Sequence, residues 1–123
     1  MPLKVRKSRV RDQVGMCPIG ACMDLIGGAW TPNIIWYLSG GARRFSELRA
    51  DVKPISAKML STRLKEMEST GIVERRVVDT SPPSVEYSLT PLGRELIPAI
   101  EAIARVGFKL KREQAKKRLS VAR

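Results

Sequence analysis

The run FSELRADVKPISAKMLSTRLKEMESTGIVERRVVDTSPPSVEYSLT, residues 45–90, decides how this 123-residue chain is read. Ser46 is placed to cap a short helix from Glu47 to Asp51 whose Leu48 points inward, and Val52-Lys53-Pro54 forms a turn. Ser56 then caps a longer helix from Ala57 to Ser69, which Gly71 ends. Ile72–Asp79 and Ser84–Leu89 have the composition of strands, with Val85, Tyr87 and Leu89 alternating on one face, and Ser81-Pro82-Pro83 as the turn between them. The order is helix, turn, helix, hairpin.

On the N-terminal side, Ala42-Arg43-Arg44-Phe45 suits a short strand or an extended link. Before it, Thr31 is placed as an N-cap with Pro32 at the first helical position, and Ile34, Ile35, Trp36 and Leu38 give that helix an apolar face up to Gly40-Gly41. A first short helix is predicted over Ala21–Ile26, stopped by Gly27-Gly28. On the C-terminal side, Thr90-Pro91 opens a long helix with Leu92, Leu96, Ile100, Ile103, Val106 and Leu110 at helical spacing. Pro98 is expected to kink or loosen it. The fold class is therefore α+β, mostly α: a winged helix-turn-helix with N-terminal helices and a long C-terminal helix. It occupies residues 17–110, between a basic N-terminal arm over 1–16 and a basic C-terminal tail over 111–123.

The formal net charge of +11 sits on the two ends. Residues 1–16 carry five basic side chains against Asp12, and residues 105–123 carry eight against Glu113, whereas residues 17–104 balance ten against ten. Two such ends suit the neutralisation of nucleic-acid phosphates; solvated tails that aid solubility would have the same composition. Histidine is absent from the sequence, which removes Ser-His-Asp and Cys-His nucleophile pairs and imidazole metal sites. Cys17 and Cys22 are too few for a zinc cluster in one subunit. No enzyme activity, metal or cofactor is expected. Without a signal peptide or an apolar run of membrane-spanning length, the chain is expected to be cytoplasmic and without membrane partners.

The helix over Ala57–Ser69 separates two faces at 100° per residue. Leu60, Leu64 and Met67 lie on one side with Ala57 beside them, and Lys58, Ser61, Thr62 and Lys65 lie opposite. That outer face holds no acidic residue before Glu66, as insertion into a phosphate-walled major groove requires. Ser56 at its cap, Arg43 and Arg44 ahead of the motif, and Arg75 and Arg76 on the first strand of the hairpin complete the candidate double-stranded DNA contacts. An ordinary solvated helix face, with Glu74 and Glu86 pairing the strand arginines, is the competing explanation.

Cys17-Pro18, Asp24-Leu25-Ile26-Gly27-Gly28 with Trp30-Thr31, Arg43 to Leu48, Ile55-Ser56, Lys58-Met59-Leu60, Arg63-Leu64, Val73-Glu74-Arg75 and Val85 to Gly93 together resemble the HxlR-type winged-helix transcription regulators. The resemblance covers about residues 17 to 107. It implies a regulator, most simply a repressor, acting as a homodimer on a near-palindromic operator, with one recognition helix per half-site. It also implies that the N-terminal helices and the long C-terminal helix form the dimer interface. The stripe Leu96, Ile100, Ile103, Val106 and Leu110 supports this independently, because it extends beyond what one small domain needs to cover itself; packing within the subunit against Ile34, Ile35 and Leu38 is compatible with it. The chain departs from the family at Ala29, where a lysine is usual, and at Ser84, where the wing usually carries a basic residue.

Cys17 matches the N-terminal cysteine with which some members sense oxidants, quinones or aldehydes. It precedes a predicted helix start and lies near five basic residues, both of which favour a thiolate. An inert cysteine packed at the subunit interface is the plainer alternative, and Cys22 is expected to be a small core residue. A basic RNA- or nucleoid-associated protein without sequence specificity would share the charge. Two Phe, two Tyr and two Trp offer little for base stacking, which counts against RNA.

Overall fold

The computed structural model describes residues 3–10 and 17–121. Arg11 and Asp12 of the N-terminal arm lie outside the described residues. Residues 3–10 are exposed and belong to no helix or strand.

Helix α1 spans Pro18–Ile26 and α2 spans Thr31–Leu38. A two-residue strand β1, Arg43–Arg44, leads into α3, Phe45–Asp51, and the turn after it into α4, Ala57–Ser69. Strands β2, Val73–Val78, and β3, Ser84–Leu89, form the hairpin, followed by α5, Pro91–Glu95, and α6, Ile97–Val121. The fold is a winged helix-turn-helix. Its antiparallel sheet runs β1-β3-β2, with Arg43 opposite Tyr87, Val73 opposite Leu89 and Val78 opposite Ser84. The short N-terminal strand thus pairs with the second strand of the wing, which ties the wing to the helix-turn-helix.

The core lies where the apolar faces of the helices meet. Ile34, Ile35, Leu48, Leu60, Leu64, Met67 and Ile72 are fully buried in it, joined by Val73, Leu89, Leu96 and Ile100. All three inward positions of α4 predicted from spacing are therefore buried.

Several boundaries differ from the sequence-based expectations. Helix α1 starts at Pro18, three residues before the expected Ala21, because the proline supplies a preset first turn. Thr31 is not the cap of α2 but its first residue and is buried. The cap is Trp30, at φ 72° in the left-handed region, and its indole packs against the core. Ser46 lies inside α3, whose cap is Arg44: the Glu47 carboxylate accepts the Arg44 backbone N–H at 2.8 Å. The expected long C-terminal helix is two, divided at Leu96. Pro98 then occupies the first turn of α6, where a missing N–H leaves no bond unmade. Residues 111–121, expected to be a tail, continue α6.

The junction after α4 fixes the wing. Thr70 and Gly71, the latter at φ 81°, close the helix with Gly71 N–H donating to Glu68 O at 3.1 Å and Ile72 N–H donating to Met67 O at 2.9 Å. The Thr90 hydroxyl donates to the carbonyls of Gly71 and Ile72 and accepts from Gly93 N–H, while Thr90 N–H donates to Ile72 O at 2.9 Å. Gly93 presses against Ile72 O so closely that a Cβ there would collide with it. Gly93→Ala is expected to destabilise the fold by about 1–3 kcal/mol through overpacking against a carbonyl. Urea unfolding measures this; unchanged stability would show that α5 yields at no cost.

Candidate nucleic-acid interface

Ser56 caps α4 in an extended conformation, accepting the Met59 N–H at 3.1 Å on its Oγ. Its own O–H remains available as a donor to an anion in front of the helix. Burial of Leu60, Leu64 and Met67 turns the opposite side of α4 outward. On that side Lys58, Thr62 and Lys65 are exposed and Ser61 is half-buried. Thr62 donates its hydroxyl back to Lys58 O at 2.9 Å, so what it presents to a ligand is an acceptor and a methyl group.

Two arginines near this helix neutralise carboxylates within the protein. Arg63, only 20% exposed along its side chain, pairs with Glu66 at 2.6 Å and packs beside Gly28. The Glu66 charge that ends the acid-free run on α4 is thereby matched within the same helix. Arg43 grips Asp51 with two parallel bonds, Nε–Oδ2 and Nη2–Oδ1, both at 2.9 Å, and reaches Glu47 at 3.4 Å. The hydrogen bond to Asp51 is the main reason its pKa is raised, partial burial working in the opposite direction. Its fork is committed to bracing β1 on α3, a role that sequence spacing did not suggest. Arg44, the next residue, is exposed and makes no ion pair among the described residues.

On the wing, Arg75 and Arg76 are both exposed, opposite Tyr87 and Glu86 respectively. Neither forms an ion pair among the described residues, so the expected competition from Glu74 and Glu86 is not seen. Glu74 instead accepts from Ser88 Oγ at 3.3 Å. The candidate contact set thus keeps Arg44, Ser56, Lys58, Ser61, Thr62, Lys65, Arg75 and Arg76 with groups turned outward, and loses the free guanidinium of Arg43.

The predicted interface stripe divides. Leu96 and Ile100 belong to the subunit's own core, whereas Ile103, Val106 and Leu110 are more than half exposed. Phe108, which spacing did not single out, is also exposed on one side while its ring meets Trp36 edge-on at 6.5 Å between centroids. Cys17 is exposed at the N-cap of α1, and Cys22 is exposed too rather than buried as expected. Among the described residues, none covers the face of α1 that carries Cys22. Among the described residues no group of side chains could hold a metal ion, and no helix is long and apolar enough to cross a membrane.

A family profile described as HxlR-like helix-turn-helix matches residues 25–115. The chain is 40% identical over 89 residues to the uncharacterized HTH-type transcriptional regulator YdeP of Bacillus subtilis, covering 72% of this chain and 70% of that protein. Among solved structures it resembles the redox regulator HypR in its oxidized form, with a TM-score of 0.71 and 39% identity over 76% of this chain and 96% of that one. It also resembles the reduced form of the transcriptional regulator YodB from B. subtilis, with a TM-score of 0.66 and 38% identity over 73% and 89% of the two chains.

The cap and the charge of Ser56 can be tested apart. Ser56→Ala is expected to cost about 1 kcal/mol of stability through loss of the cap, whereas Ser56→Asp keeps a capping oxygen. The aspartate should nonetheless weaken DNA binding by about tenfold, because it turns a negative charge toward phosphates. Thermal unfolding and a DNA titration of both variants measure this. Wild-type affinity in Ser56→Asp would place the N-terminus of α4 away from DNA.

Proposed function

The chain belongs to the HxlR-like helix-turn-helix family of transcription regulators, DNA-binding proteins rather than enzymes, and from that premise we propose that it binds one operator as a homodimer and represses the gene beside it. The observation that carries this is the outer face of α4: Lys58, Ser61, Thr62 and Lys65 turned away from a buried Leu60-Leu64-Met67 face, with the nearest acid, Glu66, already paired. A helix of this kind enters the major groove with its N-terminal residues toward the base edges. Arg44 ahead of the motif and Arg75 and Arg76 on the wing are suited to the flanking phosphates, which fix register without reading sequence.

Homodimer formation is supported by the exposed Ile103, Val106 and Leu110, apolar side chains that the subunit leaves uncovered along α6. A two-fold pair of such chains would present two α4 helices to a near-palindromic site.

Cys17 is the proposed sensing residue. It is exposed at the start of α1, and two of the similar structures are a redox regulator and a regulator solved in its reduced form. Modification of its thiol by an oxidant or small electrophile would alter operator binding through the α1 face.

Titration against the DNA upstream of the protein's own gene, a random duplex and a structured RNA separates specific from general binding. A preference for one duplex of about 10³-fold is expected; equal affinity for all three would overturn the proposal. Lys58→Ala and Lys65→Ala should each weaken that preferred complex without changing the sedimentation behaviour of the free protein. For the sensor, diamide should change operator affinity in the wild type and leave Cys17→Ser unmoved, and identical responses would exclude Cys17.

A further inference from the structure

Helix α6 carries a second, separate basic surface. Arg105, Lys109, Arg112 and Lys116 follow one another at steps of four, three and four residues, so they fall on one face of the helix. All four are exposed, and among the described residues none lies within ion-pair distance of a carboxylate. Over the 25 residues of α6 the acidic side chains are Glu101 and Glu113 alone. The side of α6 that bears Ile100 and Ala104 packs toward α2, and Trp36 meets Phe108. At 100° per residue the four cations lie on the far side from Ile100, and well around the helix from exposed Ile103 and Leu110. Packing within the subunit therefore leaves the ridge open, and association through Ile103 and Leu110 leaves it open too, with Val106 at its border.

We propose that this ridge is a second phosphate-binding surface, which holds the backbone of duplex DNA without reading its sequence. The ridge spans eleven residue steps, about 16 Å of helix, and a duplex presents about five phosphates per strand over the same length. Four cations in line on a rigid helix match that array better than a mobile tail would, because the side chains are held in register before they bind. The unit from α1 to the start of α6 is electrically balanced, with ten basic and ten acidic residues over 17–104, so its own field adds little to the encounter. The ridge supplies that attraction. It rests on the DNA-binding role assigned above but not on the contacts of α4.

The test uses the full chain with Arg105, Lys109, Arg112 and Lys116 all changed to Gln, a helix former that removes the charge and keeps the length. Binding to a random-sequence duplex is measured over a range of salt concentrations. The slope of log affinity against log salt is expected to fall by about 3 to 4 per protomer, at roughly 0.9 per lost phosphate contact. A companion carrying Arg105→Lys and Arg112→Lys keeps the charge and should keep the slope. An unchanged slope in the glutamine variant, with helix content intact by circular dichroism, would overturn the proposal. So would wild-type DNA binding by that variant together with lost binding to phosphatidylglycerol vesicles, which would make the ridge a membrane surface. Failure of the α4 assignment is distinguishable: Lys58→Ala and Lys65→Ala would then leave the preference among duplexes unchanged while the ridge variant still lost slope.

Discussion

The closure of Thr90 on the carbonyls of Gly71 and Ile72 is the constraint on which the rest of the structure depends. It joins three elements at one point: the end of the outward-facing helix α4, the start of the wing, and the first turn of α5. The Gly71 carbonyl lies at an exposed turn and the Ile72 carbonyl at a part-buried position, and both find their partner on Thr90. Because Gly93 stacks directly on Ile72 O, α5 cannot pivot without opening the same junction. The end of α4, the start of the wing and the start of α5 are therefore tied at one point, by the hydroxyl and N–H of Thr90 and the close approach of Gly93, above the core they share.

Around that junction the charges are arranged in two ways. Arg43 and Arg63 are turned inward to carboxylates, where they brace β1 against α3 and neutralise Glu66 on α4. Lys58, Lys65, Arg75 and Arg76 are turned outward, without ion pairs among the described residues. Such exposed cations add little to the stability of the free protein. Their energetic value lies in displacing counterions from phosphates. Because the count over 17–104 balances to zero, these outward cations act on phosphates at contact rather than through a long-range field.

The sequence was a good guide where local signals and tertiary packing agree. Ser56 as a cap, the three inward residues of α4, the glycine that ends it and the two strands of the wing all stand where periodicity and turn chemistry placed them. It was a poorer guide where a non-local contact decides. Thr31 and Ser46 both have cap chemistry, yet Thr31 is drawn into the core and Glu47 takes over the cap of α3. At Pro98 the expected loosening takes a sharper form, a division at Leu96 two residues before the proline, which has no N–H with which to carry the helix on. Arg43 is committed to Asp51, eight residues on, a spacing that no helical or strand periodicity in the sequence flags as a pair. Cys22 has a core residue's composition but faces outward on α1.

Backbone amide NMR shifts recorded while the duplex from upstream of the gene is added test the central claim most directly, because every element reports in one experiment. The account predicts the largest shifts from Ser56 to Lys65 at the N-terminal half of α4, with smaller ones at Arg44 and at Arg75 and Arg76. Largest shifts along α1 or α2, with α4 unperturbed, would contradict it.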